Sequence, residues 1–228
     1  IGLALLILFH NALSVGTILF CILLIIYGCR LGGYLAFREL KSSSYNKKMA
    51  TEIKDGKTVS FVAKCGIWIS AALLYACQTA PILFRLEKET STDAFVIIGL
   101  VISIIGVVLE STADLQKNAA KKKNPKRFVD TGLYRFVRCP NYLDEVVIWT
   151  GVLLSGIGAG LSSWQWALAV IGYMGIVYVM FSVARRLELR QNEVYGNDPE
   201  YQSYVRRTPI LIPFLPIHSL VKYKWLQA

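Results

Sequence analysis

The stretch AFVIIGLVISIIGVVLESTADL, residues 94–115, decides the fold class. It is long enough to cross a lipid bilayer as a helix, which requires about 20 mainly apolar residues. Two acidic residues, Glu110 and Asp114, lie near its end, four residues apart and therefore on one helix face. A charged side chain inside a bilayer is costly and marks a candidate functional site. The stretch therefore predicts a membrane helix that carries a polar site.

The rest of the chain repeats this apolar character and predicts an all-α, polytopic membrane helical bundle. Residues 1–228 are expected to form a single domain. Its first nine residues are interpreted as the end of a truncated N-terminal helix, followed by a turn at 10–14. The remaining membrane helices are expected at about 15–40, 60–86, 141–159 and 163–184, and an amphipathic tail at 185–228 is expected at the membrane interface.

Composition and charge support this interpretation. Hydrophobic residues make up 54% of the chain and charged residues only 18%, which excludes an ordinary soluble enzyme, a disordered chain and a coiled coil. If the spans alternate sides, all but two of the 25 Lys and Arg residues belong to one side, and only Arg85 and Lys88 lie near the other. The positive-inside rule makes the basic side cytoplasmic.

Composition also restricts the partners and cofactors. Five lipid-length spans leave no soluble core for a nucleic-acid site, so the partners expected are membrane lipid and a lipophilic small molecule. Two histidines and no metal-type Cys spacing predict no metal site, and the five cysteines are interpreted as free thiols. Gly28 and Gly32 form a GxxxG pattern, which predicts a close helix contact.

Polar residues on three of the spans are expected at one level of the membrane. Tyr27 and Arg30 share a face of the first long helix, Glu110 accompanies Asp114, and Asn141 and Glu145 are four residues apart. These residues predict a cavity that opens to the cytoplasm. The basic loop 116–140 interleaves cations with acids and aromatics, which suits a phosphorylated dinucleotide such as NADPH better than a cofactor without phosphate.

Four segments resemble bacterial membrane proteins related to the steroid 5-alpha-reductases. The run GLYRFVRCPNYLDEVVIWTG (132–151) is similar to the G-x-Y-R-x-x-R-H-P-N-Y-x-G-E-x-x-x-W-x-G motif of that family. The segments ESTADLQ (110–116), YGCRLGGYLAFR (27–38) and YQSYVRRTPILIPF (201–214) resemble its acidic stretch, its early helix and its tail. Two positions depart from the pattern, with Cys139 in place of the usual His and Asp144 in place of the usual Gly.

The resemblance implies an oxidoreductase that uses NADPH to reduce a carbon–carbon double bond conjugated to a carbonyl, in a steroid or similar lipid. It implies a location in a bacterial inner membrane. It also implies that Tyr27 is the catalytic residue, which hydrogen-bonds the substrate carbonyl. The cofactor-binding positions that it implies are Arg38, Glu110, Asp114, Lys121, Arg127, Tyr134, Arg138, Asn141, Tyr142, Glu145, Arg190 and Tyr204.

Two other functions stay open from the sequence. Isoprenylcysteine-type methyltransferases share a version of the motif around Asn141 and use S-adenosylmethionine, which carries no phosphate to engage the basic loop. A non-enzymatic membrane lipid-binding protein would need no nucleotide at all. Thermal stabilisation of the protein by NADPH, by S-adenosylmethionine or by neither ligand distinguishes the reductase, the methyltransferase and the lipid-binding protein. The substrate itself and the stereochemistry of reduction, 5-alpha or 5-beta, are not encoded in these motifs.

Overall fold

The computed structural model describes residues 1–41 and 60–227. Within these two ranges the chain forms helices and turns and no β-strand. Residues 42–59, which belong to the connection between the helices predicted at about 15–40 and 60–86, lie outside the described residues. The α-helices of the described ranges are α1 (Gly2–Leu8), α2 (Val15–Lys41), α3 (Phe61–Glu87), α4 (Ala94–Lys123), α5 (Pro140–Ser155), α6 (Ser163–Tyr195) and α7 (Pro199–Arg207).

Helices α2 to α6, with α5 extended by the short helical turn that runs to Ala159, are long and apolar enough to cross a membrane. This confirms the helical class and the five predicted spans. Of these helices, α4 contains the most hydrophobic stretch. Its large aliphatic side chains, among them Ile97, Val101, Ile104 and Val108, are exposed on the outer face of the bundle. A bilayer accepts such a surface, whereas water would penalise it.

The helices begin and end at local signals in the sequence. Asp93 caps α4, because its Oδ1 accepts a hydrogen bond of 2.9 Å from the amide of Val96. Helix α4 continues beyond its predicted apolar end to Lys123, since alanine and lysine favour helix, and it stops just before Pro125. Pro140 opens α5, where its missing amide proton costs nothing.

The closest helix contact brings α4 against α5 through small residues. A Cβ atom on Gly99 would lie 2.3 Å from the carbonyl oxygen of Gly151, and one on Gly106 would lie 2.9 Å from the amide nitrogen of Ile148. Between these glycines, the hydroxyl of Ser103 donates to the carbonyl of Ile148 at 2.8 Å. Small residues allow two membrane helices to approach closely, so this contact sets the position of α5 beside α4.

The predicted close contact at Gly28 and Gly32 is wrong. A Cβ atom on either glycine would meet nothing within 4 Å among the described residues. Both glycines line a cavity instead. The GxxxG spacing alone could not distinguish these outcomes, because a missing side chain permits either a close helix or an open space.

A buried arginine ties three helices together at one end of the bundle. Arg85, near the end of α3, is fully buried and donates to the carbonyls of Ser155 at 2.8 Å and Ser91 at 2.7 Å. It also pairs with Asp93 at 2.8 Å. Burial alone would raise the pKa of Asp93, but the Val96 amide and the Arg85 guanidinium outweigh burial and hold the pKa below its usual value.

The C-terminal tail packs against the start of α5. The amides of Arg138 and Cys139 donate to the carbonyls of Pro209 and Ile210, each at 2.9 Å. Behind this pairing lies a tail cluster of buried apolar side chains, which comprises Cys139, Ala184, Ile210, Leu211, Leu220 and Leu226. The basic loop between α4 and α5 is therefore held against the tail.

Candidate active site

A tyrosine and a glutamate meet where α2 crosses α5. The hydroxyl of Tyr27 lies 2.7 Å and 2.8 Å from the two carboxylate oxygens of Glu145, and its single proton is donated to this carboxylate. The indole nitrogen of Trp149, one turn further along α5, donates to the same carboxylate at 3.0 Å. The Trp149 ring also packs edge-on against the Tyr27 ring, with centroids 6.1 Å apart. Glu145 is thus held between two donors in a largely buried place.

Arg30 joins α2 to the two acids of α4. Its guanidinium forms an ion pair with Glu110 and a second with Asp114, the latter at 3.0 Å. Arg30 also interacts electrostatically with Glu145. The structure therefore brings together Tyr27, Arg30, Glu110, Asp114 and Glu145 as predicted. Asn141, which was predicted in the same group, makes no hydrogen bond to these side chains.

Among the residues that the structure describes, carboxylates outnumber cations in this polar cluster. Asp144, the residue that departs from the family pattern, is fully buried, and its Oδ1 accepts from the amide of Glu145 at 2.6 Å. The other oxygen of Asp144 and the Oε2 of Glu110 are buried and have no hydrogen-bond partner among the described residues. Buried acceptors without partners are costly, so the cluster is suited to a ligand that brings hydrogen-bond donors, such as hydroxyl or amide groups.

An apolar cavity adjoins the Tyr27–Glu145 pair. Its volume is about 320 Å³. Helices α2, α3 and α5 and the start of the described chain provide its walls, which comprise Ile1, Gly2, Leu24, Tyr27, Gly28, Leu31, Gly32, Tyr75, Thr79 and Trp149. The cavity could hold an apolar ligand with one polar group near Tyr27.

Other predicted cofactor residues lie in the basic loop and make contacts there. The Nζ of Lys121 donates to the carbonyls of Arg127 at 2.6 Å and Pro125 at 3.2 Å. The Arg127 guanidinium is exposed and pairs with Glu200 at 2.6 Å and Asp130 at 3.1 Å. These two hydrogen-bonded carboxylates raise the pKa of Arg127. Exposed pairs of this kind are weak and exchange readily for an anionic ligand.

Three predicted residues join the basic loop to the C-terminal segments. The hydroxyl of Tyr204 donates to the carbonyl of Tyr134 at 2.6 Å, and burial raises the pKa of both phenols. Arg138 is buried and pairs with Glu188 of α6 at 2.8 Å. Glu188 in turn accepts from the amide of Leu220 at 2.7 Å. In the structure these side chains fix the basic loop against α6 and the C-terminal segments. They do not belong to the polar cluster around Glu145.

The remaining predicted residues belong to three different helices. The amide of Asn141, in the first turn of α5, is half-buried and makes no hydrogen bond with the described residues. Tyr142 packs against the tail cluster, and Arg190 is exposed on α6. Arg38 belongs to α2, but its side chain lies outside what the structure describes.

Two open grooves lie along the basic loop and share Asp130 and Thr131. Their volumes are about 390 Å³ and 530 Å³. The first is lined by Lys123 and Arg127, among others, and the second by Arg135 and Arg207. Arg207 and the cavity residue Tyr75 were not among the predicted site residues. Nothing in the sequence around Tyr75 indicated a functional role, because this tyrosine belongs to an apolar span and to none of the motifs.

The distance from the polar cluster to the basic loop is set by α4. Glu110 and Lys121 belong to the same helix, and their separation of eleven residues corresponds to about 16 Å along its axis. One extended ligand could therefore contact both the carboxylates and the loop cations. The residues present fit a phosphorylated dinucleotide, with donors for its phosphates at one end and acceptors for its hydroxyl and amide groups at the other.

Together these features define a polytopic helical membrane protein with a buried tyrosine–carboxylate site between its spans. The chain belongs to the DUF1295 family, described as a protein of unknown function, whose model matches residues 1–208. That family is related to the steroid 5-alpha-reductases, which confirms the relationship that the motifs predicted.

Among characterised proteins, the chain is similar to a very-long-chain enoyl-CoA reductase of Dictyostelium discoideum. The two are 32% identical over 142 residues, which are 60% of this chain and 43% of that protein. The matched region therefore spans less than half the length of that relative. No solved structure matches the chain.

Proposed function

We propose that this protein is a membrane-embedded reductase that uses NADPH to reduce a carbon–carbon double bond conjugated to a carbonyl in a lipophilic, steroid-like substrate. The observation that carries the proposal is the Tyr27 hydroxyl bound to Glu145 at the wall of an apolar cavity. The similarity to an enoyl-CoA reductase supports this reaction class, because that enzyme's name describes the reduction of a conjugated double bond.

In this proposal the cavity binds the apolar body of the substrate and orients its carbonyl towards Tyr27. When bound, the reduced nicotinamide would supply hydride to the β-carbon of the conjugated system. Negative charge then develops on the carbonyl oxygen, and a phenol proton at that oxygen stabilises it. The Tyr27 hydrogen can rotate about its C–O bond from Glu145 to the substrate, while the edge-on packing of Trp149 holds the Tyr27 ring in place.

The cofactor would be held by two groups of residues. Glu110, Asp114 and Glu145 would accept hydrogen bonds from hydroxyl and amide groups at the reactive end. Lys121, Arg127, Arg135 and Arg207 would hold the phosphates at the loop grooves. The α-carbon would receive its proton from water.

Replacement of Tyr27 by Phe tests the proposal. Purified protein in detergent is supplied with NADPH and either the enone steroid cholestenone or a long-chain trans-enoyl-CoA, and nicotinamide oxidation is followed by absorbance. Removal of one oxyanion donor should lower turnover by about 10²–10³-fold and leave the dissociation constant of NADPH unchanged.

The matched control is Tyr178→Phe, because Tyr178 lies on α6 beside Trp225 and away from the cavity. Equal turnover of the Tyr27→Phe variant and the wild type would remove Tyr27 from the mechanism. Stabilisation of the wild type by S-adenosylmethionine and not by NADPH would replace the reductase proposal with the methyltransferase alternative.

A further inference from the structure

A second tyrosine faces the cavity from α3. Tyr75 lines the same cavity as Tyr27, and its ring lies 6.3 Å from the Trp149 ring, centroid to centroid. It interacts electrostatically with both Tyr27 and Glu145, so the two phenols are neighbours. Tyr75 is 41% exposed, which leaves its side chain accessible to an occupant of the cavity.

The other side-chain donors in the cavity wall are already engaged. Tyr27 and Trp149 both donate to Glu145, and the hydroxyl of Thr79 donates to the backbone carbonyl of Tyr75 at 2.9 Å. The Tyr75 hydroxyl, in contrast, makes no hydrogen bond with any described residue. A phenol carries one proton and gives one hydrogen bond at a time. Tyr75 can therefore bind a carbonyl without breaking an existing contact, whereas Tyr27 must first leave Glu145.

The position of Tyr75 is fixed by the packing of α3 against α6. Gly172 of α6 abuts the α3 backbone so closely that a Cβ atom there would lie 2.4 Å from the carbonyl carbon of Cys77. Cys77 is only two residues beyond Tyr75. A donor on a rigidly held helix is aligned before the substrate arrives, which is the condition for stabilising a developing charge.

We propose that the Tyr75 hydroxyl is a hydrogen-bond donor to the substrate carbonyl, so that Tyr75 and Tyr27 together form a two-phenol oxyanion site. This inference rests on the proposed reductase function and names a residue that neither the motifs nor the family resemblance indicates. Tyr75 makes and breaks no covalent bond. It keeps its proton while the electron pair of the reduced double bond moves onto the carbonyl oxygen, and the proton of the product comes from water.

The test separates carbonyl recognition from turnover. Equilibrium binding is measured for cholestenone and for cholestene, the matching hydrocarbon without the carbonyl, in the wild type and in Tyr75→Phe. Loss of one hydrogen bond should lower the preference for the ketone about three- to tenfold and leave cholestene binding unchanged. Turnover of the enone should fall by about 10²-fold.

Tyr178→Phe is again the matched control and should keep the full ketone preference. Because Tyr75→Phe removes no hydrogen bond within the described structure, its melting temperature should equal that of the wild type. An unchanged ketone preference in Tyr75→Phe, or a wild type with no such preference, would overturn the inference. A wild type that prefers the ketone through Tyr75 and oxidises no NADPH would instead overturn the reductase proposal and leave the role of Tyr75 in carbonyl binding intact.

Discussion

At the scale of single residues, the two departures from the family pattern have different surroundings. Cys139, which replaces a histidine, belongs to the buried tail cluster with Ile210 and Leu211, so its side chain contributes apolar packing. Asp144, which replaces a glycine, adds a buried carboxylate beside Glu145. No ion pair of Asp144 with a described residue is present.

The burial of Cys139 predicts a thiol that does not react in the folded protein. Burial raises the pKa of this thiol to about 12, whereas an unfolded cysteine titrates near ~8.5. Since the thiolate is the nucleophile, alkylation by iodoacetamide at pH 8 should be far slower in the folded state than in denaturant. The raised pKa also means that the contribution of the Cys139 thiol to the free energy of unfolding is fully present below pH ~8.5. This contribution is lost as the pH rises towards about 12.

Mass spectrometry of a variant that keeps only Cys139 measures the labelling. The same variant in denaturant is the control, because it exposes the identical thiol. Equal labelling rates in the two states at pH 8 would contradict the buried position of Cys139.

At the scale of helices, glycines perform two opposite roles. Gly99, Gly106 and Gly151 bring α4 and α5 into backbone contact, and a side chain at any of them would collide with the neighbouring helix. Gly28 on α2 faces open space and leaves room for a ligand. Both roles follow from the missing Cβ, and only the position of the neighbouring helices decides between them.

The open glycine predicts a determinant of substrate size. Gly28→Leu places a branched side chain in a cavity of about 320 Å³ and should weaken cholestenone binding by more than about tenfold, while the dissociation constant of NADPH stays the same. Gly33→Leu is the matched control, because Gly33 also faces open space but does not line the cavity. Equal effects of the two substitutions in an equilibrium binding assay would show that the cavity does not hold the substrate.

At the scale of the whole molecule, the tail and the basic loop form one surface from distant parts of the sequence. Arg135 follows α4, and Arg207 ends α7, yet both line the larger groove with Thr131 and Thr208. Neither arginine pairs with an acid among the described residues, in contrast to Arg127 and Arg138. The groove therefore has two cations available for an anionic ligand.

This groove predicts discrimination between NADPH and NADH. If the groove holds the extra phosphate of NADPH, Arg207→Ala should weaken the binding of NADPH by about tenfold or more, because a charged hydrogen bond is lost. The binding of NADH should not change. Arg206→Ala is the matched control, since Arg206 is an exposed neighbour that does not line the groove. Titration with each nucleotide measures the two dissociation constants. An equal loss of affinity for NADPH and for NADH would show that the extra phosphate binds elsewhere.

The sequence by itself determined the five membrane helices and the polar group of Tyr27, Arg30, Glu110, Asp114 and Glu145. Apolar length and residue spacing along a helix are local properties, and a lipid-embedded charge must find partners at its own depth. Only the tertiary structure decided which loop cations are already paired, that Gly28 faces a cavity, and that Tyr75 and Arg207 belong to candidate binding surfaces. Those properties depend on which helices become neighbours, and side-chain packing between distant segments sets that arrangement.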